Sequence, residues 1–500
     1  MNIRTTDQRI PSPTRPGIGQ LSAPYADAVL GHAGRDWLRL NVPGHAAAPG
    51  SDLAGFLGPR ITALDFPPLL DGIDLGRDTP LDRAQSLAAE AWGARRTWFL
   101  TNGASQGNQI ASMVAPVLGR TLVVQRSVHS SVIDGLVLSG MDAVFVQPSV
   151  DPEQGIAHGV TAADVAAALA RTPGAAAVYI VSPSYFGAVA DVRALADTAH
   201  AAGVPLIVDE AWGSHFGFHP ALPANALSLG ADLVTSSTHK LAGSLTQSAM
   251  LHLAEGPFAD LLEPLVDRAF RLVQSTSASA LLTASLDLAR RSLVTGADAT
   301  GGSVGAADRV RGVVRALGRF TVVSDGFRAF PDIVRADPLR IAIDTRAGGI
   351  TGHEARRRLF RDHQVMVEVA TDAAIVAVIG AGSVPDTDRF VEALHTLPSP
   401  LTTGSAGATG GMPRLPAPGA TKLTAREAFL SPAVVVAAQE AVGRISADTL
   451  AAYPPGIPNV LPGEVITAEA VRFLQRTAAA PNGHVRGALD LGVTRLRVVA

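Results

Sequence analysis

The amino-acid sequence predicts an α/β fold built on a mostly parallel, doubly wound sheet. Short β-branched or aliphatic runs alternate with Ala/Leu-rich helical patterns between about residues 97 and 254. The runs are apolar almost throughout rather than at every second residue, the pattern of strands covered on both faces. A hydrophobic content of 47% can fill a large core. The 500 residues exceed what one core usually organises, so two or three domains are expected.

The chain opens with MNIRTTDQRIPSPTRPG, which lacks an apolar h-region and reads as a flexible tail over residues 1–20, not as a signal peptide. Seven candidate strands follow: TWFL, TLVVQ, AVFVQ, AVYIVS, PLIVD, DLVTS and SAMLHL. TAADVAAALART and DVRALADTAHAAG have the character of crossover helices, and the second stops at a glycine just ahead of the next strand. With the segment before them, these elements make a large domain over 21–300. Beyond it, LRIAID, AAIVAVIG and the helical DTDRFVEALHTL give a small α/β domain over 301–396. PSPLTTGSAGATGGMPRLPAPGA reads as a linker or surface loop over 397–423. A last unit over 424–500 begins with a helix and continues into the Pro/Gly-rich YPPGIPNVLPGEVIT.

A formal net charge of -3, with no Lys/Arg-rich stretch, carries no electrostatic footprint for nucleic acid or a membrane surface. The most apolar stretches, such as VAAALARTPGAAAVYIV, are broken by Arg, Pro or Gly before the ~20 residues a membrane span needs. Cysteine is absent, which excludes disulfides, thiolate catalysis and cysteine-ligated zinc and suits a reducing compartment. A cytoplasmic protein is expected.

In an open α/β sheet, ligands bind beyond the carboxyl ends of the strands. Four such positions carry polar chemistry. After TWFL comes TNGASQGNQ, a small polar turn whose free backbone N–H groups can hold a phosphate, or which is a plain turn. After TLVVQ comes RSVHSSV, placing His129 where an imidazole can lie against a flat ligand or simply be structural. After PLIV comes DEAWGSHFGFHP, where Asp209 ends an apolar strand; a carboxylate there needs a partner, either an arginine or a protonated heterocyclic nitrogen. His215 and His219 have helical metal-ligand spacing, but Gly217 and Pro220 argue against a helix, so no metal site is expected. After DLVTS comes STHKLAGS, where Lys240 is one of only a few lysines in the chain. A phosphate cradle, a flat imidazole, a buried carboxylate and a lysine, in this order, form the set that pyridoxal phosphate requires, with Lys240 forming the imine.

The same segments resemble the Orn/Lys/Arg decarboxylase family in its short bacterial form, without an additional N-terminal wing domain. The resemblance rests on VPGH at 42–45, LAAEAWGA, NGASQGN, RSVHSSV, SPSYFGAVADV, VDEAWGSHFGFHP, SSTHKLAGSLTQSA, STSASALLTASLDLAR and GRISADTLAAYPPGIPNVLPGEVIT, in family order from about residue 40 to 470. It implies a fold-type I, aspartate-aminotransferase-like large domain with a mostly parallel seven-stranded sheet, plus smaller α+β C-terminal domains. It also implies pyridoxal 5'-phosphate on Lys240, Asp209 against the pyridine nitrogen, His129 stacked on the ring, and Ala104, Ser105, Ser237 and His239 at the phosphate. By the same carry-over, Thr276 and Ser277 reach a neighbouring subunit's cofactor, and Glu464, Trp212 and His215 shape the substrate entrance. The implied assembly is a homodimer or higher homo-oligomer.

The activity implied is α-decarboxylation of ornithine, lysine or arginine to the amine and CO2, the chemistry of polyamine supply. Three positions depart from the family pattern: Ala46 and Ser130 stand where lysine is common, and Ala280 where an aromatic residue is common. These departures leave open a different pyridoxal-phosphate reaction, namely transamination, oxidation or side-chain cleavage of an amino-acid-derived metabolite. A non-enzymatic relative that keeps the fold is a third reading, which the joint presence of Lys240, Asp209 and His129 opposes.

Overall fold

In the computed structural model, residues 18–68, 70–397, 415–453, 456–480 and 482–500 are described. Nearly all of the expected tail and residues 398–414 of the expected linker lie outside them. All seven candidate strands form: β1 Arg96–Leu100, β2 Thr121–Gln125, β3 Asp142–Val146, β4 Ala175–Val181, β5 Leu206–Asp209, β6 Leu233–Ser236 and β7 Ala249–Leu253. They make one sheet in the order β1-β7-β6-β5-β4-β2-β3. The five strands from β6 to β3 run parallel, whereas β7 pairs antiparallel with both β6 and β1.

Successive residues of a strand point to opposite faces, and both faces are covered. Val123, Val178, Val208 and Val234 enter one core; Leu122, Val124, Tyr179, Ile207 and Leu233 enter the other. Helices α1 Gly103–Val114 and α2 Ser130–Ser139 cover the second face and pack on each other. Gly103, at φ +70°, makes the left-handed turn from β1 into α1. Further along α1, a Cβ at Gly107 would stand 2.7 Å from Thr235 Cγ2, so only glycine lets α1 approach β6 this closely. Helices α3 Ala162–Ala170 and α4 Val192–Ala201 occupy the expected crossovers. The left-handed glycine after α4 is Gly203, one residue beyond the cap residue Ala202.

Beyond the large sheet, α5 Ala297–Leu317 begins just ahead of the boundary expected at 300 and packs on a four-stranded antiparallel sheet. Its strands are β8 Thr321–Val322, β9 Arg340–Asp344, β10 Val369–Ala370 and β11 Ala374–Val378, in the order β8-β9-β11-β10. The C-terminal unit opens with α6 Ala425–Leu430 and has its own core around Phe473 and Leu474. It contributes β12 Leu450–Tyr453, β13 Pro458–Val460 and β14 His484–Arg486, a three-stranded sheet with β12 in the centre. Among the described residues, no helix is long and apolar enough to cross a membrane.

Candidate active site at the carboxyl ends of the parallel strands

Asp209 is the last residue of β5 and is 3% exposed. Its Oδ2 accepts from Asn108 Nδ2 at 2.8 Å and its Oδ1 from the Ala211 N–H at 3.0 Å. Both partners are neutral; among the described residues no arginine pairs with it. The arginine alternative for this carboxylate is therefore not what the fold provides. Asn108 sits on the face of α1 turned to the sheet and is fixed by two more bonds: Tyr179 Oη donates to its Oδ1 at 2.9 Å, and its Nδ2 also reaches Ser131 Oγ at 3.0 Å.

Ser131 links this network to His129, which ends the turn after β2 and caps α2. His129 Nδ1 accepts the Ser131 N–H at 3.2 Å, which leaves the proton of the neutral ring on Nε2. Burial lowers the His129 pKa, opposed by Asp209 and reinforced by Lys240. The ring is thus held neutral and apolar enough to face a flat ligand.

Lys240 lies in the one-turn helix after β6. Burial pushes its ammonium down to about 8; Asp209 acts in the opposite direction, Arg340 in the same one, and Glu368 against it. Its Nζ lies 4.0 Å from the centroid of the Trp212 ring. The three groups Lys240, Asp209 and His129, drawn from three different strand ends, are therefore within electrostatic reach of one another.

The residues expected at the phosphate lie after the same strand ends. Ala104 and Ser105 occupy the first turn of α1, where N–H groups lack intrahelical acceptors and Asn102 makes no side-chain cap. Ser237 is buried between Ser236 and Thr238, whose hydroxyls are buried without partners. His239 is oriented by an Nδ1–H bond to the Ser248 carbonyl at 2.8 Å. An uncapped helix start, orphaned hydroxyls, a desolvated amine and a carboxylate with no basic hydrogen-bond partner fit pyridoxal phosphate: the donors suit an anion, and the carboxylate suits a ring cation.

Of the other expected site residues, Trp212 lies at this cluster and the rest have settings of their own. Thr276 and Ser277 lie on an exposed turn and make no hydrogen bond to this cluster; the Ser277 N–H is held by Ser275 Oγ at 3.2 Å. His215 is fully buried, with Nε2–H donating to Asp337 at 3.1 Å, and Trp212 is 8% exposed beneath Lys240. Glu464 is 3% exposed and bidentate with Arg126, one bond measuring 2.9 Å, while Leu461 N–H donates to the same carboxylate. Arg126 also donates to the Pro458 carbonyl, so this pair clamps the C-terminal unit onto the end of β2. The departures from the family pattern also have definite settings. Ala46 is exposed at φ +50°, and Ala280 starts a buried helical turn. Ser130 accepts from Arg486 of β14 at 2.9 Å, so a guanidinium from the C-terminal unit stands beside the place where lysine is common.

Sequence reasoning missed Arg340, the first residue of β9. It is 1% exposed, its guanidinium carbon lies 3.5 Å from the Trp212 ring centroid, and Nε, Nη1 and Nη2 all lack partners. Burial lowers it to about 10, with Asp337, Glu368 and Tyr185 acting in the opposite direction. Nothing local in DPLR distinguishes it from a surface arginine; only the chain's return from the small sheet brings it to Lys240.

The chain as a whole is similar to known proteins. Residues 23–380 match the family model described as the Orn/Lys/Arg decarboxylase major domain, and residues 413–483 its C-terminal domain. The arginine decarboxylase of Halalkalibacterium halodurans is 34% identical over 96% of this chain and 98% of its own. That of Bacillus subtilis is 32% identical over 96% and 99%. Among solved structures, the lysine decarboxylase of Francisella novicida superposes with a TM-score of 0.81 at 18% identity, covering 96% of this chain and 82% of that one. With the major-domain model matching residues 23–380, and relatives at 32 and 34% identity along nearly the whole chain, the chain belongs to the Orn/Lys/Arg decarboxylase family.

Proposed function

We propose that the protein is a pyridoxal-phosphate-dependent decarboxylase of a basic L-amino acid, with arginine the foremost substrate. The observation that carries this reading is the pairing of a desolvated amine with an unpartnered, buried guanidinium over one indole ring: Lys240 and Arg340 on Trp212. An α-amino acid likewise carries an amine and a carboxylate close together, one for each of these groups. The names of the relatives at 32 and 34% identity favour arginine.

When bound, pyridoxal phosphate supplies the electron sink that accepts the pair left behind by departing CO2. The protein's part is positioning and electrostatics. Lys240, at about 8, exposes a free amine at mildly alkaline pH and can take up or return a proton there. Asp209, fixed by Asn108 and the Ala211 N–H, keeps a negative charge where a ring cation needs it. His129, neutral and fixed by Ser131, would cover one face of the ring and exclude water from it. Arg340 orients the carboxylate until it leaves, and a product lacking that carboxylate loses its strongest hold. We assign Ala104, Ser105, Ser237 and His239 to the phosphate on the same reading.

A second reading, in which the carboxylate is retained and a keto acid forms, draws on Arg340 too, because a guanidinium stabilises the carboxylate that decarboxylation must expel. Incubation with arginine, lysine and ornithine, with CO2 and amine measured, separates the two: amine and CO2 are the expected products. A cofactor-loaded protein that turns over none of the three would remove this proposal.

The proposal extends to assembly. Leu38, Leu40, Phe56 and Val42 are 85%, 88%, 86% and 69% exposed on one N-terminal segment, an apolar cover that suits a second copy of the chain. Thr276 and Ser277, exposed and not hydrogen-bonded to the Lys240 cluster, are assigned to that copy's cofactor. A cytosolic enzyme, divided at about 300 and across 397–423, completes the reading.

A further inference from the structure

Glu368 precedes β10 on the small sheet, and its carboxylate is exposed. The carboxylate's one hydrogen bond among the described residues comes from Tyr185 Oη, which donates to Oε1 at 3.4 Å, so Oε2 is unclaimed. Tyr185 follows β4; its ring stands edge-on to Trp212 with centroids 4.8 Å apart and is 46% exposed. Trp212 in turn lies under Lys240 and Arg340. The path from the amine to the free carboxylate therefore crosses one indole and one phenol. Glu368 is felt electrostatically at both Lys240 and Arg340, where it opposes the burial that lowers each.

A basic amino acid carries an anion at one end and a cation at the other. Arg340, buried and without hydrogen-bond partners, matches the anion; among the described residues no other guanidinium has all three nitrogens buried without partners. We propose that Glu368, oriented by Tyr185, receives the distal cation of the substrate, so that the site reads the molecule from both ends. This rests on the decarboxylase reading above and adds to it the residue pair that selects the side chain. A carboxylate edge beside an exposed aromatic ring suits a planar guanidinium better than an ammonium, because the guanidinium can stack and donate two parallel bonds at once. The pair thus favours arginine over lysine and ornithine.

The test uses the cofactor-loaded protein and agmatine, which has the guanidinium but no carboxylate. Calorimetric agmatine affinity and the ratio of kcat/KM for arginine over citrulline, its uncharged isostere, are compared in wild type, Glu368→Gln and Tyr185→Phe. Glu368→Gln is expected to weaken agmatine about ten-fold or more and to shrink the arginine-to-citrulline ratio by a similar factor; Tyr185→Phe shifts both in the same direction by less. If Glu368→Gln fails to retain cofactor, Glu368→Asp, which keeps the charge and withdraws it, is expected to weaken agmatine by an intermediate factor. Agmatine affinity within two-fold of wild type in a cofactor-loaded Glu368 variant overturns the proposal. Failure of the decarboxylase reading shows separately, as wild type that releases no CO2 from any basic amino acid, and the agmatine comparison still decides the role of Glu368.

Discussion

Asn108 Nδ2 donates to Asp209 Oδ2 across 2.8 Å, tying the second turn of α1 to the carboxyl end of β5. Because Tyr179 and Ser131 bind the same amide, Asn108→Ala takes a partner from three buried polar groups at once, leaving Asp209 Oδ2 and Tyr179 Oη without the bond that held them, while Ser131 Oγ keeps His129 Nδ1. We expect a loss of about 1–3 kcal/mol of stability, the usual cost of an unsatisfied buried group, read as a lower urea midpoint with unchanged slope.

Asp209→Asn removes the charge but keeps the shape and the bond from the Ala211 N–H. With Asp209 as the electrostatic partner of a ring cation, the variant should lose about 10²-fold or more in kcat at matched cofactor content. Steady-state CO2 release checks this, and a loss under three-fold would assign the carboxylate a structural role only.

Lys240 sets a pH signature in the cofactor-free protein. Its pKa falls from 10.5 when unfolded to about 8 when folded, chiefly through burial. Between those values the unfolded chain binds more protons, so stability rises with pH from about 8 towards 10.5, and the penalty is fully present below 8. Urea midpoints at pH 8, 9 and 10 should climb more steeply in wild type than in Lys240→Met, which has no proton to lose there.

Arg126 and Glu464 form a buried bidentate pair between β2 and the C-terminal unit. Glu464→Gln leaves the Arg126 guanidinium buried without its counter-charge and should cost about 3–5 kcal/mol. Arg126→Met combined with Glu464→Leu removes both charges and should recover most of that loss. Thermal unfolding of the three variants tests the order. A Glu464→Gln protein as stable as wild type would show that this carboxylate serves some other purpose.

The sheet was legible because β2, β4, β5 and β6 are buried on both faces, and such strands write themselves as uninterrupted apolar runs. His129, Asp209 and Lys240 were legible for the related reason that each lies at the end of such a run or in the turn just after it. Arg340, Glu368 and Arg486 were not, since they arrive from later domains and carry no local mark. Glu464, read as lining a substrate entrance, lies inside instead, because its partner Arg126 is 338 residues away and no pattern in the chain announces that meeting. His215 is withdrawn from solvent by Asp337 for the same reason.

The central claim is that the cofactor aldehyde is tethered at Lys240, and the chain makes this simple to test because it holds just two lysines, Lys240 and Lys422. Borohydride reduction of protein loaded with pyridoxal phosphate, followed by digestion and mass spectrometry, locates the tether. A pyridoxyl-phosphate adduct on the peptide containing Lys240 is the predicted result; an adduct confined to the exposed Lys422, or none at all, would contradict the account.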